Sequence, residues 1–172
     1  MPAPAWVLYH WKLSNLPATA PTLEDCYQYS LAKPGDQEAL DNVFTRAYLT
    51  EIGWSTDVDE RIERTARIVR DRLSDATADF LAVRHGSRII AASVVVDNPE
   101  AEEHFASGVC VLDEYRCRGL GTYLLYQSLE RLRQAGLEEA RALTKAGIAA
   151  DKYLYGKFGG RREALSPAAS GG

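Results

Sequence analysis

The sequence is poor in the residues that build disulfide frameworks and metal centres. It contains three cysteines and three histidines among 172 residues, and no two cysteines form a CxxC pair. An odd number of cysteines without paired spacing gives no sign of a disulfide scaffold or a zinc motif, and it suits a reducing compartment. His10, His85 and His104 are scattered along the chain without metal-ligand spacing. No metal is therefore expected.

Long hydrophobic runs and an excess of basic charge are also missing. The longest apolar stretches fall far short of a membrane span. The start of the chain, Met1–Pro4, lacks the basic segment and apolar core of a secretory signal. The formal net charge is −4, whereas proteins that grip nucleic-acid phosphates usually carry a basic face. The sequence predicts a cytoplasmic protein without a membrane partner and disfavours a nucleic-acid partner.

What is present predicts one folded domain. Apolar residues make up 46% of the chain and charged residues 26%, which is typical of a globular protein. A length of 172 residues is enough for one domain with a substantial core. We expect an N-terminal strand and linker over residues 1–25, the main domain over 26–165, and a frayed tail over 166–172.

Hydrophobic periodicity predicts alternating strands and helices. Runs rich in β-branched and aromatic residues indicate strands, and apolar residues at three- and four-residue spacing indicate helices. The predicted strands are Trp6–Leu13, Cys26–Ala32, Phe80–Arg84, Arg88–Val96, Ala106–Leu112 and Ala140–Thr144. The predicted helices are Asp36–Tyr48, Asp57–Leu73, Gly119–Ala135 and Ala149–Phe158. A mixed α/β sheet covered by helices is the natural packing of such elements.

The most informative segment is the turn Arg116–Gly121, between a predicted strand and a long helix with one apolar face. A helix start presents free backbone N–H groups and the positive end of the helix dipole, which suit a phosphate. Gly119 and Gly121 lack Cβ atoms, so a large ligand can approach the backbone closely. Arg116 and Arg118 add positive charge. The segment predicts a site for a phosphorylated ligand.

A purely structural role and the common nucleotide-binding motifs fit this segment less well. Two glycines near a helix start occur by chance, and Gly119 could serve only as an N-cap. The preceding strand, the arginines and the long following helix together favour the ligand site. A Walker A motif is absent from the sequence. A dinucleotide fingerprint fails because Leu124 stands where its third glycine is needed.

The run Arg116-Cys117-Arg118-Gly119-Leu120-Gly121 resembles the Arg/Gln-x-x-Gly-x-Gly/Ala signature of the GCN5-related N-acetyltransferases, the GNAT family. The resemblance implies an acyl-CoA N-acyltransferase fold with a central, mostly antiparallel sheet and helices on both faces. It also implies that this loop binds the pyrophosphate of acetyl-CoA while the preceding strand pairs with the pantetheine arm. The implied cofactor-binding residues are Cys110, Val111, Leu112, Arg116, Cys117, Arg118, Gly119, Leu120, Gly121 and Thr122.

A second resemblance lies downstream. Tyr155-Gly156-Lys157-Phe158-Gly159-Gly160 is similar to the Tyr-x-Lys-x-Gly-Phe ending of the family's last helix, which implies that Tyr155 is the general acid near the CoA sulfur. The sequence departs from the family pattern at three positions. Asp113 stands where many members have proline, Gly160 replaces the usual phenylalanine, and Ile148 replaces an asparagine often found before the tyrosine.

The acceptor pocket is predicted from the segment between the first two helices, which commonly contributes to it in this family. Here that segment contains Tyr48, Glu51 and Trp54, and aromatic faces with a carboxylate can hold a cationic amine. The alternative is that Trp54 caps the core and Glu51 is merely solvated. We therefore expect a small-molecule amine as acceptor, and a homodimer is left open.

Transfer of an acetyl group to an amine needs a base as well as an acid. The sequence leaves the base open among Glu51, Asp97, Glu102, Glu103, His104 and a chain of waters. Three alternative functions also remain: a non-catalytic acyl-CoA-binding or sensing domain, a nucleotide-phosphate-binding regulatory module, and an acetyltransferase that modifies a protein or tRNA.

Overall fold

A computed structural model describes residues 6–74 and 78–165. The predicted frayed tail, 166–172, lies outside the described residues. The helices are α1 (Gln37–Thr50), α2 (Val58–Arg72) and α3 (Leu120–Gln134). The strands are β1 (Trp6–Lys12), β2 (Tyr27–Leu31), β3 (Asp79–His85), β4 (Arg88–Val95), β5 (Cys110–Val111), β6 (Glu139–Lys145) and β7 (Arg161–Leu165). No helix of the described ranges is long and apolar enough to span a membrane.

The strands form two antiparallel sheets, ordered β2-β3-β4-β5 and β6-β1-β7. The sheets meet at His104, whose carbonyl accepts from Val96 N at 2.9 Å and whose N–H donates to Arg141 O of β6 at 2.7 Å. Beyond this point no hydrogen bond joins β5 to β6 within the described part of the chain. The two sheets therefore separate there, and a cleft opens between them.

Helices cover both faces of the four-stranded sheet. As a result, β4 is buried at every position after Arg88. Ser93 of β4 faces α3, where the hydroxyl of Ser128 donates to it at 3.1 Å. Side chains alternate along a strand, so Ile90 and Ala92 face the opposite side. Here α1 packs against β4. This architecture confirms the predicted mixed α/β fold with antiparallel strands and helices.

The predicted strand Ala106–Leu112 is wrong over its first half, since only Cys110–Val111 forms a strand. The chain bulges at Ser107–Val109 because Gly108 adopts a left-handed conformation, with φ at +74°. The carbonyl of Ser107 accepts hydrogen bonds from side chains of α1 and α2. Bulges of this kind redirect backbone groups next to ligand sites.

The end of the chain also differs from the prediction. Residues Ala150–Leu154 form a π-helical turn where a helix over Ala149–Phe158 was predicted. Phe158 has a left-handed φ of +60°, which a continuous helix cannot contain. Strand β7 was not predicted because its sequence, RREAL, has no alternating pattern and is exposed at every position.

Strand β1 lies in the middle of the second sheet. It pairs with β6 from Trp6 to Lys12 and with β7 from Trp6 to His10. Its buried residues alternate as the prediction of a strand requires, with Val7, Tyr9 and Trp11 pointing into the core. The division of the chain at residue 25 stays a prediction.

Candidate active site in the cleft between the sheets

The cleft between β5 and β6 holds a cavity of about 340 Å³. Its walls come from α1, α2, the turn between them, the bulge before β5, the start of α3 and the π-helical turn. The predicted cofactor, catalytic and acceptor residues that line it are Tyr48, Glu51, Trp54, Cys110, Val111, Arg116, Cys117, Gly119, Leu120, Gly121, Thr122 and Tyr155. The structure thus brings together segments that are distant in sequence.

The start of α3 is suited to bind an anion. Gly119 is its N-cap, with φ at +80°, and no side chain caps the first turn. The first N–H groups of a helix have no intrahelical acceptor, and here residues Gly119–Thr122 line the cavity. A Cβ placed on Gly121 would lie 3.7 Å from Leu154 across the cavity. The free donors and the narrow approach fit a phosphate group held against the backbone.

The arginines of this loop have different neighbours. Arg116 lines the cavity and donates to Thr50 Oγ1 at 3.2 Å. Arg118 lies over the ring of Tyr115, 5.6 Å from its centroid, and is not part of the cavity wall. The acidic residues of the loop are paired as well. Arg116 lies 3.5 Å from Asp113, and Glu114 contacts Arg46 and Arg88. Each carboxylate therefore has an arginine partner that offsets its repulsion of a bound anion.

The residues before the loop alternate in exposure. Cys110 and Val111 line the cavity, whereas Leu112 is fully buried and lies outside the cavity wall. Burial raises the pKa of the Cys110 thiol to about 11, so this cysteine stays protonated and is a poor nucleophile. Cys117 is exposed in the loop with φ at +64°.

Side chains from two helices fix the bulge at Ser107–Val109. The carbonyl of Ser107 accepts from Tyr48 Oη at 2.6 Å and from Arg61 Nη2 at 3.2 Å. Two residues further on, the N–H of Val109 donates to Tyr155 Oη at 3.2 Å. The bulge therefore connects the two helices with the predicted catalytic tyrosine.

Tyr155 is held in an aromatic cluster at the base of the cavity. Its side chain is 2% exposed, and its ring makes edge contacts with Tyr9, Trp11 and Phe105. Burial raises the pKa of the Tyr155 phenol above its usual value, and this effect outweighs the hydrogen bond from Val109 N. The hydroxyl therefore keeps its proton at neutral pH and can act as an acid but not as a base.

Asp151 anchors the π-helical turn that precedes Tyr155. Its carboxylate accepts from Tyr9 Oη at 2.6 Å, Arg162 Nε at 2.8 Å and Gly147 N at 2.8 Å. Burial alone raises the pKa of this carboxyl, but the hydrogen bonds from Arg162, Tyr9 and Gly147 outweigh burial and lower the pKa to about 2. The ionised carboxylate thereby ties the turn to β1 and β7.

The predicted acceptor residues form one wall of the cavity. Tyr48 is buried, and its hydroxyl is committed to Ser107 O and Thr65 Oγ1. Trp54 is 4% exposed and packs on the rings of Tyr48 and Trp6. Glu51 accepts from Ala149 N at 3.3 Å while its side chain borders the cavity. Trp54 thus belongs to the core and to the cavity wall at once.

Arg61 of α2 also lines the cavity, although no sequence motif singles it out. It is 7% exposed, and its guanidinium lies 4.9 Å from the ring centroid of Trp54 and 5.6 Å from that of Tyr48. The spacing of residues along α2 gives a sign that Arg61 is buried. Arg61, Thr65 and Val69 share one stripe at i, i+4 and i+8, and all three are buried.

Of the candidate bases, Glu51 borders the cavity and the others do not. His104 is fully buried; it accepts from Arg141 N at Nδ1 and donates from Nε2 to Asn98 O. Burial and the charge of Arg141 lower the pKa of His104, so it is neutral with both nitrogens engaged. Glu103 pairs with Arg64 at 2.9 Å. Across the described ranges no cluster of three or more His, Cys, Asp or Glu could hold a metal ion.

Comparison with known proteins gives a family match over most of the chain. The profile of the Acetyltransferase (GNAT) family matches residues 39–159, which include the loop, the bulge and Tyr155. No curated protein matches the sequence.

Several solved structures share the fold. A GCN5-related N-acetyltransferase from Sphaerobacter thermophilus has a TM-score of 0.68 at 18% identity, and the match covers 94% of this chain and 49% of that protein. One from Kribbella flavida has a TM-score of 0.58 at 17% identity, with coverages of 93% and 55%. A putative GNAT acetyltransferase from Novosphingobium aromaticivorans has a TM-score of 0.55 at 19% identity, with coverages of 92% and 60%. The chain spans about half the length of these structures.

Proposed function

Because the chain belongs to the acetyltransferase (GNAT) family, we propose that it transfers the acetyl group of acetyl-CoA to the amino group of a small molecule. The observation that carries this proposal is a cavity lined both by the loop Arg116–Gly121 and by Tyr155. A phosphate-binding loop and a buried acid along one cleft are what a phosphorylated acyl donor requires. Bound acetyl-CoA supplies the activated acyl group as a thioester.

The start of α3 holds the phosphates of the donor. The free N–H groups of residues 119–122 and the guanidinium of Arg116 supply donors and positive charge at this end of the cavity. Cys110 and Val111 continue from there towards the bulge and line the path of the pantetheine arm. Apolar walls along this path exclude water from the thioester.

Tyr155 protonates the departing thiolate. Its phenol is protonated at neutral pH, and the N–H of Val109 stabilises the negative charge that develops on the tyrosine oxygen as the proton leaves. A positioned acid contributes about 10²–10⁴-fold to the rate. Glu51, which borders the cavity, takes the proton of the amine directly or through water.

A thermal-shift experiment tests the binding half of the proposal. Acetyl-CoA is expected to raise the melting temperature and ATP to raise it much less, since a ligand at about 100 times its Kd stabilises the folded state by about 2.7 kcal/mol. Gly121→Glu places a negative charge among the phosphate donors and should abolish the shift. The substitution is tolerated at Cβ, where the nearest atom is 3.7 Å away.

Gly35→Glu is the matched control, because Gly35 has no atom within 4 Å of an added Cβ and does not line the cavity. It should keep the acetyl-CoA shift of the unsubstituted protein. A folded Gly121→Glu variant that retains the shift would show that the phosphates bind elsewhere.

A further inference from the structure

We propose that Arg61 binds the carboxylate of the acceptor, so that the substrate class is free amino acids and other short amino carboxylates. This inference rests on the proposed function and narrows it, because Arg61 lines the same cavity as Tyr155 and Glu51. It assigns a specificity role to a residue that lies outside the sequence motifs of the site.

The guanidinium of Arg61 is buried without an acidic partner. The side chain is 7% exposed, and within the described ranges no carboxylate lies within 4.0 Å of it. Among the described residues its guanidinium makes one hydrogen bond, from Nη2 to Ser107 O, and its Nε is buried without a partner. An arginine has five N–H donors, so most of its donor capacity is unused.

A buried cation without a counter-ion is costly, and the surrounding rings offset only part of that cost. Trp54 and Tyr48 lie 4.9 and 5.6 Å from the guanidinium carbon. Glu103 lies beyond contact distance and pairs with Arg64, so it offsets the charge of Arg61 only in part. A ligand that brings an anion into the cavity removes this penalty. The planar guanidinium matches a carboxylate in shape and can donate two parallel hydrogen bonds to it.

The groups proposed to bind the phosphates of the donor belong to a different segment from the contacts of Arg61. Arg61 contacts Ser107, whereas the phosphate-binding loop begins at Arg116, after strand β5. The bulge at 107–109 and strand β5 lie between Ser107 and that loop, and the proposed phosphate donors, Arg116 and the N–H groups of residues 119–122, all follow them in the chain. The acceptor, not the donor, is therefore the source of the anion at this end of the cavity.

Arg61 lies close to the reacting centre. A Cβ placed on Gly108 would lie 3.1 Å from Tyr155 Oη and 3.7 Å from Arg61 Nη2. An acceptor whose amine reaches the thioester beside Tyr155 can therefore contact Arg61 through a group only a few atoms from the amine. An amino acid has this spacing, with one carbon between the nitrogen and the carboxylate.

Turnover with matched acceptors tests the inference. A panel of L-amino acids and their primary amides is assayed with acetyl-CoA, and the ratio of kcat/KM for each acid to that for its amide is compared between variants. We expect the unsubstituted protein to favour the acid by about 10- to 100-fold, the range of one charge-assisted contact. In Arg61→Met the ratio should fall towards one, and Arg61→Lys should restore part of it.

Arg67→Met is the control on the same helix. Its side chain is 57% exposed and pairs with Glu63 outside the cavity, so the acid-to-amide ratio should stay unchanged. A purely structural role of Arg61, through Ser107 O, would lower the rates for acids and amides by the same factor. That result, or equal rates for acids and amides in the unsubstituted protein, would overturn the inference.

Product binding separates this inference from the proposed function. N-acetyl-L-amino acids and their primary amides are titrated into the protein with CoA present, and heat is measured without any turnover. Tighter binding of the acids that is lost in Arg61→Met supports the carboxylate site even if no amine is acetylated. Acetylation of amides and acids alike, with no dependence on Arg61, leaves the acetyltransferase activity standing and refutes the site.

Discussion

Replacing Asp151 with asparagine should destabilise the protein and disturb the turn that carries Tyr155. The carboxylate is 7% exposed. It accepts hydrogen bonds from Tyr9 Oη at 2.6 Å and from Arg162 Nε and Gly147 N at 2.8 Å. Asparagine keeps the shape but removes the charge to which Arg162 and Tyr9 donate. The substitution therefore weakens the hydrogen bonds that hold the π-helical turn to the second sheet.

The magnitude follows from the pKa of Asp151. The folded protein lowers this pKa from 3.8 to about 2, and each pKa unit corresponds to about 1.4 kcal/mol. The ionised carboxylate therefore contributes about 2 kcal/mol to the free energy of unfolding at neutral pH. Because the folded pKa is depressed, this contribution is present in full well above the unfolded pKa of 3.8. It is lost as the pH falls from about 4 to about 2.

Urea unfolding of both proteins, followed by the fluorescence of the buried Trp11 and Trp54, measures this difference at several pH values. We expect the free energies of unfolding of the two proteins to differ by about 2 kcal/mol at pH 7 and by about half of that near pH 3. Asp71→Asn removes an exposed pair with Arg70 and should cost less than about 0.5 kcal/mol. A gap for Asp151→Asn as small as that control, or one independent of pH, would refute the reasoning.

Two further predictions concern catalysis. Tyr155→Phe keeps the ring contacts with Tyr9, Trp11 and Phe105, so it should fold and bind acetyl-CoA normally while kcat falls by about 10²-fold or more. Steady-state kinetics with the chemical step shown to be rate-limiting checks this, and an unchanged kcat would remove Tyr155 from the mechanism. Glu51→Gln should raise KM for the amine or lower kcat without changing KM for acetyl-CoA, whereas the exposed Glu60→Gln should change neither. Amine kinetics identical in both variants would exclude Glu51 from the acceptor site.

The parts of the fold that rest on local pattern were predictable from the sequence. The apolar stripe of α3 and the β-branched run of β4 both lie where periodicity indicates them. The loop before α3 was recognisable because glycine and arginine occur together at a strand-to-helix turn. These signals lie within one segment and need no knowledge of distant contacts.

The parts that depend on distant contacts were not predictable in this way. The bulge at Ser107 is held by side chains of α1 and α2, some 46 to 59 residues away in sequence. Strand β7 has no apolar alternation and forms by pairing with β1 at the other end of the chain. Arg61 was not predicted as a site residue because its buried contacts come from the bulge and from Trp54, which lie outside its own helix.

Transfer of the acetyl group itself is the most direct test of the account. The protein is incubated with acetyl-CoA carrying a ¹³C-labelled acetyl group and a panel of small amines that includes amino acids, and products are identified by mass spectrometry. We predict a labelled N-acetyl product and an equal amount of free CoA, both strongly reduced in Tyr155→Phe. Binding of acetyl-CoA without labelled product from any small amine, or label found only on protein or tRNA, would contradict the proposed function.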